Sequence, residues 1–389
     1  MSLLTHRPTL RWAVPVAAAV LLAAGGSTVG AIRAAASGGL PDRSAARLLV
    51  DIQKARLDGL SGTLVQSTNL GLPSMPGEGG SGSSDMSSLV SGPHTLRLWY
   101  AGPDHVRLAL LGSLGESDIV RNGTDLWNWS STTKTATHRR VPASGQTPRS
   151  LAAMSQVTPQ QAAEAALQAI SPSTKVHTDG TAMVADRSAY ELVLRPRERG
   201  TLVGSVRIAI DGRTHVPTRV QVYARGAGKP AFEVGFTSFD PTKPRASVFR
   251  FAPPPGTKVT QESGLGAMFA QHDQHSAQPQ HQGRHQAQRG AAGSARMPSP
   301  AAARPHVVGK GWTSVVVADL PQGLTSPGGS KAGPASMAGM LRMLPTVHGA
   351  WGRGQVLRGT LFSAVLSNDG RVAVGAVPPK ALYAALNAS

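Results

Sequence analysis

Residues 184–261 alternate between apolar and polar side chains almost without a break. Val206, Ile208 and Ile210, for example, lie two positions apart, with a polar or small residue between them. A period of two indicates β-strands with one apolar face and one polar, solvent-exposed face. Because short turns such as the Asp-Gly pair at 211–212 join these strands, we expect an antiparallel rather than a parallel sheet. A large one-sided sheet has to cover its apolar face with its own helices, with a lipid, or with both.

The chain of 389 residues contains no cysteine. This excludes disulfides, thiolate nucleophiles, iron–sulfur clusters and cysteine-ligated zinc. The formal net charge is +18. Many arginines occupy the polar positions of the alternating strands and few aromatic residues are interleaved with them, which disfavours nucleic acid as a partner. The charge leaves two interpretations open, an anionic membrane surface or cell wall as the partner, and a merely solvated surface.

Residues 1–36 have the pattern of a targeting segment. Arg7 and Arg11 precede an uncharged apolar run at 12–32, and three alanines follow at 34–36. This pattern predicts a signal peptide, with a signal anchor as the alternative because the run is nearly long enough to span a bilayer. In either case we expect the mature protein to be exported to the extracytoplasmic cell envelope, secreted or N-terminally membrane-anchored.

The rest of the chain predicts strands separated by a few helices and loops. In the first part we predict a helix at 41–58 that Asp42 or Ser44 caps, a strand at 61–68, a flexible loop at 71–92, hairpins at 95–111 and 118–130, a strand at 134–141 and a helix at 158–170. Residues 271–305 contain almost no large apolar side chain and predict a disordered linker. Beyond it we predict a strand at 312–318, helices at 337–344 and 381–386, and a hairpin at 361–377.

Three segments carry a resemblance to a known family. They are "DIVRNGTDLWNW" at 118–129, "IDGRTHVPTRVQVYARG" at 210–226 and "FRFAPPPGTKV" at 249–259. With the order of elements around them, they resemble the LolA/RseB superfamily of bacterial lipoprotein carriers and MucB/RseB envelope-stress regulators. The segments "GWTSVVVADLP" and "LFSAVLSNDGRVAVGAV" resemble the small second domain of RseB-type proteins. The resemblance implies an α+β fold, a curved antiparallel half-barrel covered by α-helices that holds acyl chains.

These inferences divide the chain into four parts. We predict a signal peptide or anchor at 1–36, a LolA/RseB-like lipid-binding half-barrel at 41–261, a disordered His/Gln/Pro-rich linker at 262–306 and a small C-terminal α+β domain at 307–389. The half-barrel supplies a candidate lipid-binding cavity formed by Leu98, Tyr100, Val106, Leu108, Leu110, Trp127, Trp129, Leu192, Ile208, Val222 and Phe236. Two points stay open, namely whether the core behind these residues is filled or hollow, and whether the two tryptophans form a cavity rim or ordinary sheet packing.

Catalytic and metal-binding patterns are weak. Ser131 and Lys134 have the S-x-x-K spacing, but they follow a strand rather than opening a helix, as the serine acyl-enzymes require. We find no acidic pair in an apolar setting that would raise a pKa. The histidines at 272, 275, 281 and 285 lie in the linker, where a polar tract is the default and weak metal capture the alternative. We therefore expect no enzyme, no cofactor and no metal site.

Two functions from different classes remain. The first is an exported carrier that holds the acyl chains of lipids or lipoproteins in an apolar cavity and releases them to a membrane surface or a partner. The second is an RseB-like regulator that senses lipoproteins and binds an anti-sigma factor, which the C-terminal segments favour. An envelope hydrolase is a third possibility for which the sequence shows no nucleophile.

Overall fold

The computed structural model describes residues 40–55, 57–72, 84, 88–89, 91–113, 115–142, 172–262, 305–319 and 344–388. These residues form two β-sheets and two α-helices. Neither helix is long and apolar enough to cross a membrane. The predicted segments at 1–36 and 158–170, nearly all of the loop, the linker and the helix at 337–344 lie outside the described residues.

Twelve strands form the large sheet, in the order β12-β6-β5-β4-β3-β2-β1-β11-β10-β9-β8-β7. Their bounds are β1 (Leu60–Thr68), β2 (Gly92–Tyr100), β3 (His105–Leu111), β4 (Glu116–Asn122), β5 (Asp125–Ser130), β6 (Thr135–Arg140), β7 (Thr174–Val184), β8 (Arg187–Pro196), β9 (Val203–Asp211), β10 (Pro217–Ala224), β11 (Phe232–Asp240) and β12 (Lys258–Glu262). The predicted hairpins around residues 101–104 and 122–125 are present, and the Asp-Gly turn at 211–212 joins β9 to β10.

The large sheet is mixed, not purely antiparallel as predicted. Its neighbouring strands pair antiparallel except β12 and β6, which run parallel. After β11 the chain passes a 3₁₀ turn at Ala246–Phe249 and joins the far edge of the sheet, where the backbone N–H of Lys258 donates to the carbonyl of Lys134. The chain enters β12 at the same end of the sheet at which it enters β6, so the two strands run parallel. Alternation along a strand carries no signal for such a long-range connection.

Helix α1 (Ala45–Lys54) packs on the large sheet. Ser44 caps it, because the Ser44 Oγ accepts a hydrogen bond from the Arg47 N–H at 3.2 Å. The helix is shorter than the predicted span of 41–58. The capping serine places the preceding residues outside the helix, and Ala55 at the other end has non-helical backbone angles.

The second sheet has six antiparallel strands in the order β13-β14-β18-β17-β16-β15. Their bounds are β13 (His306–Val308), β14 (Val315–Asp319), β15 (Thr346–Gly349), β16 (Gly352–Arg358), β17 (Ser363–Ser367) and β18 (Arg371–Gly375). Helix α2 (Pro379–Asn387) covers one face and buries Leu382 and Leu386 against Val317 and Val365. The predicted terminal hairpin and last helix are present, whereas the predicted strand at 312–318 begins only after a 3₁₀ turn at Gly311–Thr313.

The described part of the chain is therefore mainly β, with two sheets, and has less helix than the α+β class we predicted. The two sheets are joined by hydrogen bonds. The Leu202 N–H donates to the Ala376 carbonyl at 2.8 Å, and the Thr360 N–H donates to the Leu70 carbonyl at 2.7 Å. Leu202 precedes β9, so the second sheet contacts the end of the large sheet at which β9 begins.

Candidate functional site

The cross-strand register assigns nine of the eleven candidate residues to one face of the large sheet, which we call the apolar face. Leu98 lies opposite Leu108 across β2 and β3, and the face continues through β1, β11 and β10 to Ile208 on β9. The nine residues are Leu98, Tyr100, Val106, Leu108, Leu110, Leu192, Ile208, Val222 and Phe236. Sequence alternation thus placed side chains from several strands on a common surface.

Three described segments cover parts of the apolar face. Helix α1 buries Leu48 completely in a cluster with Tyr190, Leu192 and Ile210. Leu89 packs on Leu96 and Leu110, which is fully buried. Between β16 and β17, the side chain of Leu361 reaches from the second sheet to a cluster that contains Val222 and Phe232.

Beside these covers, several side chains of the apolar face are only half-buried by the described residues. Leu98, Leu108 and Ile208 remain half-buried, as do Tyr100, Val106 and Val222. They form an interrupted row of apolar side chains along the sheet. Leu98 pairs with Leu108 across β2 and β3, and Ile208 pairs with Leu192 across β9 and β8, while the buried side chains of Val220, Val234 and Phe236 lie between the two pairs. This row has the chemistry of a surface for hydrocarbon chains.

Trp127 and Trp129 lie on the opposite face of the sheet. Trp127 stacks on His138 with ring centroids 4.3 Å apart, and Phe251 of the crossover lies 5.3 Å from Trp127 and 6.1 Å from Trp129. The neighbouring Phe249 is 1% exposed. The tryptophans therefore pack between the sheet and the crossover, and they do not line the same surface as Leu108.

Sequence reasoning missed a buried carboxylate on this opposite face. Asp118 is 1% exposed and accepts a hydrogen bond from Arg107 Nη2 at 2.5 Å. The pKa of Asp118 is raised to about 6, because burial, together with the charge of Glu116, outweighs the opposing effect of Arg107. The expectation that no acidic pair lies in an apolar setting is wrong. The sequence predicted the hairpin that contains Asp118, but it could not show that the crossover packs on this face of the sheet.

A groove of about 420 Å³ lies beside the end of α1. Its walls are the last turn of the helix and the residues after it, together with the turn between β9 and β10. The lining residues are Asp51, Lys54, Ala55, Leu57, Arg213, Thr214 and His215. Our sequence analysis named none of them as a site, because the helix and the turn are far apart in the chain.

The described residues include no group of three or more His, Asp or Glu side chains placed to hold a metal ion. The histidines at 272, 275, 281 and 285 fall outside the described residues. Ser131 and Lys134 belong to the turn between β5 and β6, and the Ser131 Oγ accepts a hydrogen bond from the Glu116 N–H at 2.8 Å. This serine therefore serves the backbone of its own hairpin.

No protein-family model matches the chain, and no curated protein matches it in sequence. Solved structures of MucB and of LolA superfamily members are similar to it, as the sequence resemblance led us to expect. A complex of Pseudomonas aeruginosa MucA and MucB matches with a TM-score of 0.40 at 14% identity, over 87% of this chain and 94% of that one. A LolA superfamily protein of Nitrosomonas europaea matches with a TM-score of 0.20 at 12% identity, over 54% and 99%. An uncharacterized conserved protein of Thermus thermophilus matches with a TM-score of 0.32 at 13% identity, over 55% and 97%. At these values the similarity transfers no ligand and no partner.

Proposed function

We propose that this protein binds acyl chains of lipids or lipoproteins without covalent chemistry, on the apolar face of its large sheet. The observation that carries the proposal is the row of half-buried apolar side chains that includes Leu98, Leu108 and Ile208. Helix α1 and Leu361 both pack near Ile208, and a chain bound along the row would extend this cover toward Leu98 and Leu108. In this proposal residues 1–36 export the protein, 41–261 hold the lipid and 307–389 form a second domain.

Burial of hydrocarbon supplies the affinity. Each methylene group removed from water contributes about 0.8 kcal/mol, so about ten buried methylenes contribute about 8 kcal/mol before the cost of ordering the chain is subtracted. No polar partner is needed for this contribution. Release then requires a membrane or a partner that offers the chains a competing apolar environment.

A series of fatty acids that differ only in chain length tests this proposal. The full-length protein, freed of lipid, is titrated with saturated acids of increasing length, and we expect affinity to rise steadily with each added methylene. Leu108→Arg places a charge in the row and should remove the dependence on length. Val316→Arg is the matched control, because Val316 is an exposed apolar residue on the second sheet. Affinity that does not depend on chain length would contradict the proposal.

A regulator is the second candidate function, and a feature of the second sheet favours it. Val316 lies opposite Val374 across β14 and β18, and both are exposed on the face that does not carry α2. An exposed apolar pair of this kind suits a protein partner. In the RseB-like version, the protein binds the extracytoplasmic part of an anti-sigma factor. Capture of such a membrane-anchored protein, abolished by Val316→Arg and Val374→Arg, would favour the regulator over the carrier.

A further inference from the structure

The groove beside α1 combines positive charge with access to the apolar face. Lys54 lies at the end of the helix and Arg213 lies in the turn between β9 and β10. Both side chains are exposed. His215, also in this turn, has a buried Nε2 with no hydrogen-bond partner among the described residues. Leu57 lines the same groove and packs against the cluster that contains Leu64 and Leu98.

The acidic residue of the groove does not neutralise these cations. Asp51 is 7% exposed, and its carboxylate lies 2.5 Å from Arg43 Nη1 and 3.5 Å from Arg47 Nε. Two arginines therefore already compensate its charge, and His215 Nε2 lies 4.0 Å away, beyond hydrogen-bond distance. Lys54 and Arg213 form no ion pair with any residue that the structure describes.

The dipole of α1 also acts on this groove. Its carbonyl end carries about half a negative charge, which opposes a bound anion. Lys54 in the last turn offsets that half charge, so the positive charge of Arg213 is not cancelled by the dipole. The groove therefore keeps a positive balance.

The groove lies at the end of the large sheet remote from the second sheet. The turn that carries Arg213 follows β9, whereas the contact through Leu202 precedes β9, so strand β9 separates the two ends. At the contact end Leu361 packs on the apolar face. An acyl chain on the face therefore meets protein at one end, and at the other end meets a polar groove with two cations that have no acidic partner among the described residues.

We propose that this groove binds the anionic, phosphate-bearing headgroup of the lipid whose chains occupy the apolar face. The proposal rests on the proposed function and adds the class of lipid. Lys54 and Arg213 supply the charge, and Leu57 lies where headgroup meets hydrocarbon. Phosphate is the headgroup chemistry that suits exposed lysine and arginine together.

Two lipids with the same two palmitoyl chains test the assignment on the full-length protein. One is dipalmitoyl phosphatidic acid and the other dipalmitoyl glycerol, which lacks the phosphate. We expect the anionic lipid to bind about three- to tenfold more tightly, a preference of the size that two exposed ion pairs give, and to lose this advantage in high salt. Lys54→Gln with Arg213→Gln should abolish the preference and leave binding of dipalmitoyl glycerol unchanged.

The control removes the same charge elsewhere. Lys175→Gln with Arg199→Gln changes two exposed cations near the opposite end of the sheet and should keep the preference. Equal binding of the two lipids by the unaltered protein overturns the headgroup site and leaves the acyl-binding proposal standing. Binding of neither lipid overturns both. Competition by glycerol 3-phosphate as strong as that of the whole lipid would instead assign the groove to a soluble phosphate and overturn the lipid assignment.

Discussion

Asp211 anchors the turn between β9 and β10, and its replacement should destabilise the large sheet in a pH-dependent way. The side chain is 1% exposed and accepts hydrogen bonds from Arg187 Nε at 2.6 Å and Nη2 at 2.9 Å. It also accepts from the backbone N–H of Arg213 and from both the N–H and the hydroxyl of Thr214. Burial by itself would raise the pKa of Asp211, but the bonds from Arg187 and Thr214 outweigh burial and lower the pKa from 3.8 to about 2.

The difference between the unfolded and folded pKa of Asp211 sets the size of this destabilisation. A fall of about two units in pKa, at about 1.4 kcal/mol for each unit, corresponds to roughly 2 to 3 kcal/mol of folding stability at neutral pH. Because the folded pKa is the lower one, this contribution is complete well above the unfolded pKa and is lost as the pH falls through the folded pKa of about 2. Asp211→Asn should therefore cost about 2 to 3 kcal/mol at about pH 7 and clearly less at about pH 3.

Urea unfolding followed by circular dichroism at several pH values measures this effect. Asp369→Asn is the control, because Asp369 forms a similar pair with Arg371 in the second sheet but its side chain is 50% exposed. An exposed pair contributes at most about 1 kcal/mol. A cost for Asp211→Asn below about 0.5 kcal/mol at neutral pH, or one that is the same in acid, would refute the reasoning.

Three further predictions concern other parts of the structure. Because burial raises the pKa of Asp118 to about 6, the unfolding free energy of the protein should rise as the pH is lowered from about 7.5 to about 5, and Asp118→Asn should flatten this part of the pH profile. Leu48→Ala should cost about 2 to 5 kcal/mol in urea unfolding, since Leu48 is fully buried where α1 meets β8 and β9, whereas Leu49→Ala on the same helix should cost less. Leu361→Asp should increase proteolysis between the two sheets while the second sheet keeps its own thermal transition, because Leu361 packs on the large sheet rather than in the core around Leu382.

The strands could be predicted because their signal is local. The alternation of apolar and polar residues correctly predicted that Ile208 and Leu108 lie on one face of the sheet. Turn pairs such as Asn-Gly and Asp-Gly predicted most of the hairpins. Alternation cannot tell which face of a strand will be covered by a distant segment. Trp127 and Trp129 are apolar and two positions apart, and only the crossover with Phe251 assigns them to packing on the opposite face.

The other differences have the same physical origin. The buried state of Asp118 depends on the crossover after β11, and the parallel pairing of β12 with β6 depends on the path of that same segment. The groove of Lys54 and Arg213 exists because a helix near the start of the chain packs beside a turn much later in the sequence. Contacts of this sequence separation leave no periodic pattern in either segment.

The measurement that tests the central claim most directly is mass spectrometry of organic extracts from the protein, purified without detergent. The account predicts stoichiometric lipid, and predicts that Leu108→Arg or Ile208→Arg removes the lipid while Val316→Arg retains it. A folded protein that carries no lipid, before or after these changes, would contradict the claim. The apolar face would then be ordinary core, and a regulator that binds a protein partner would be the better description.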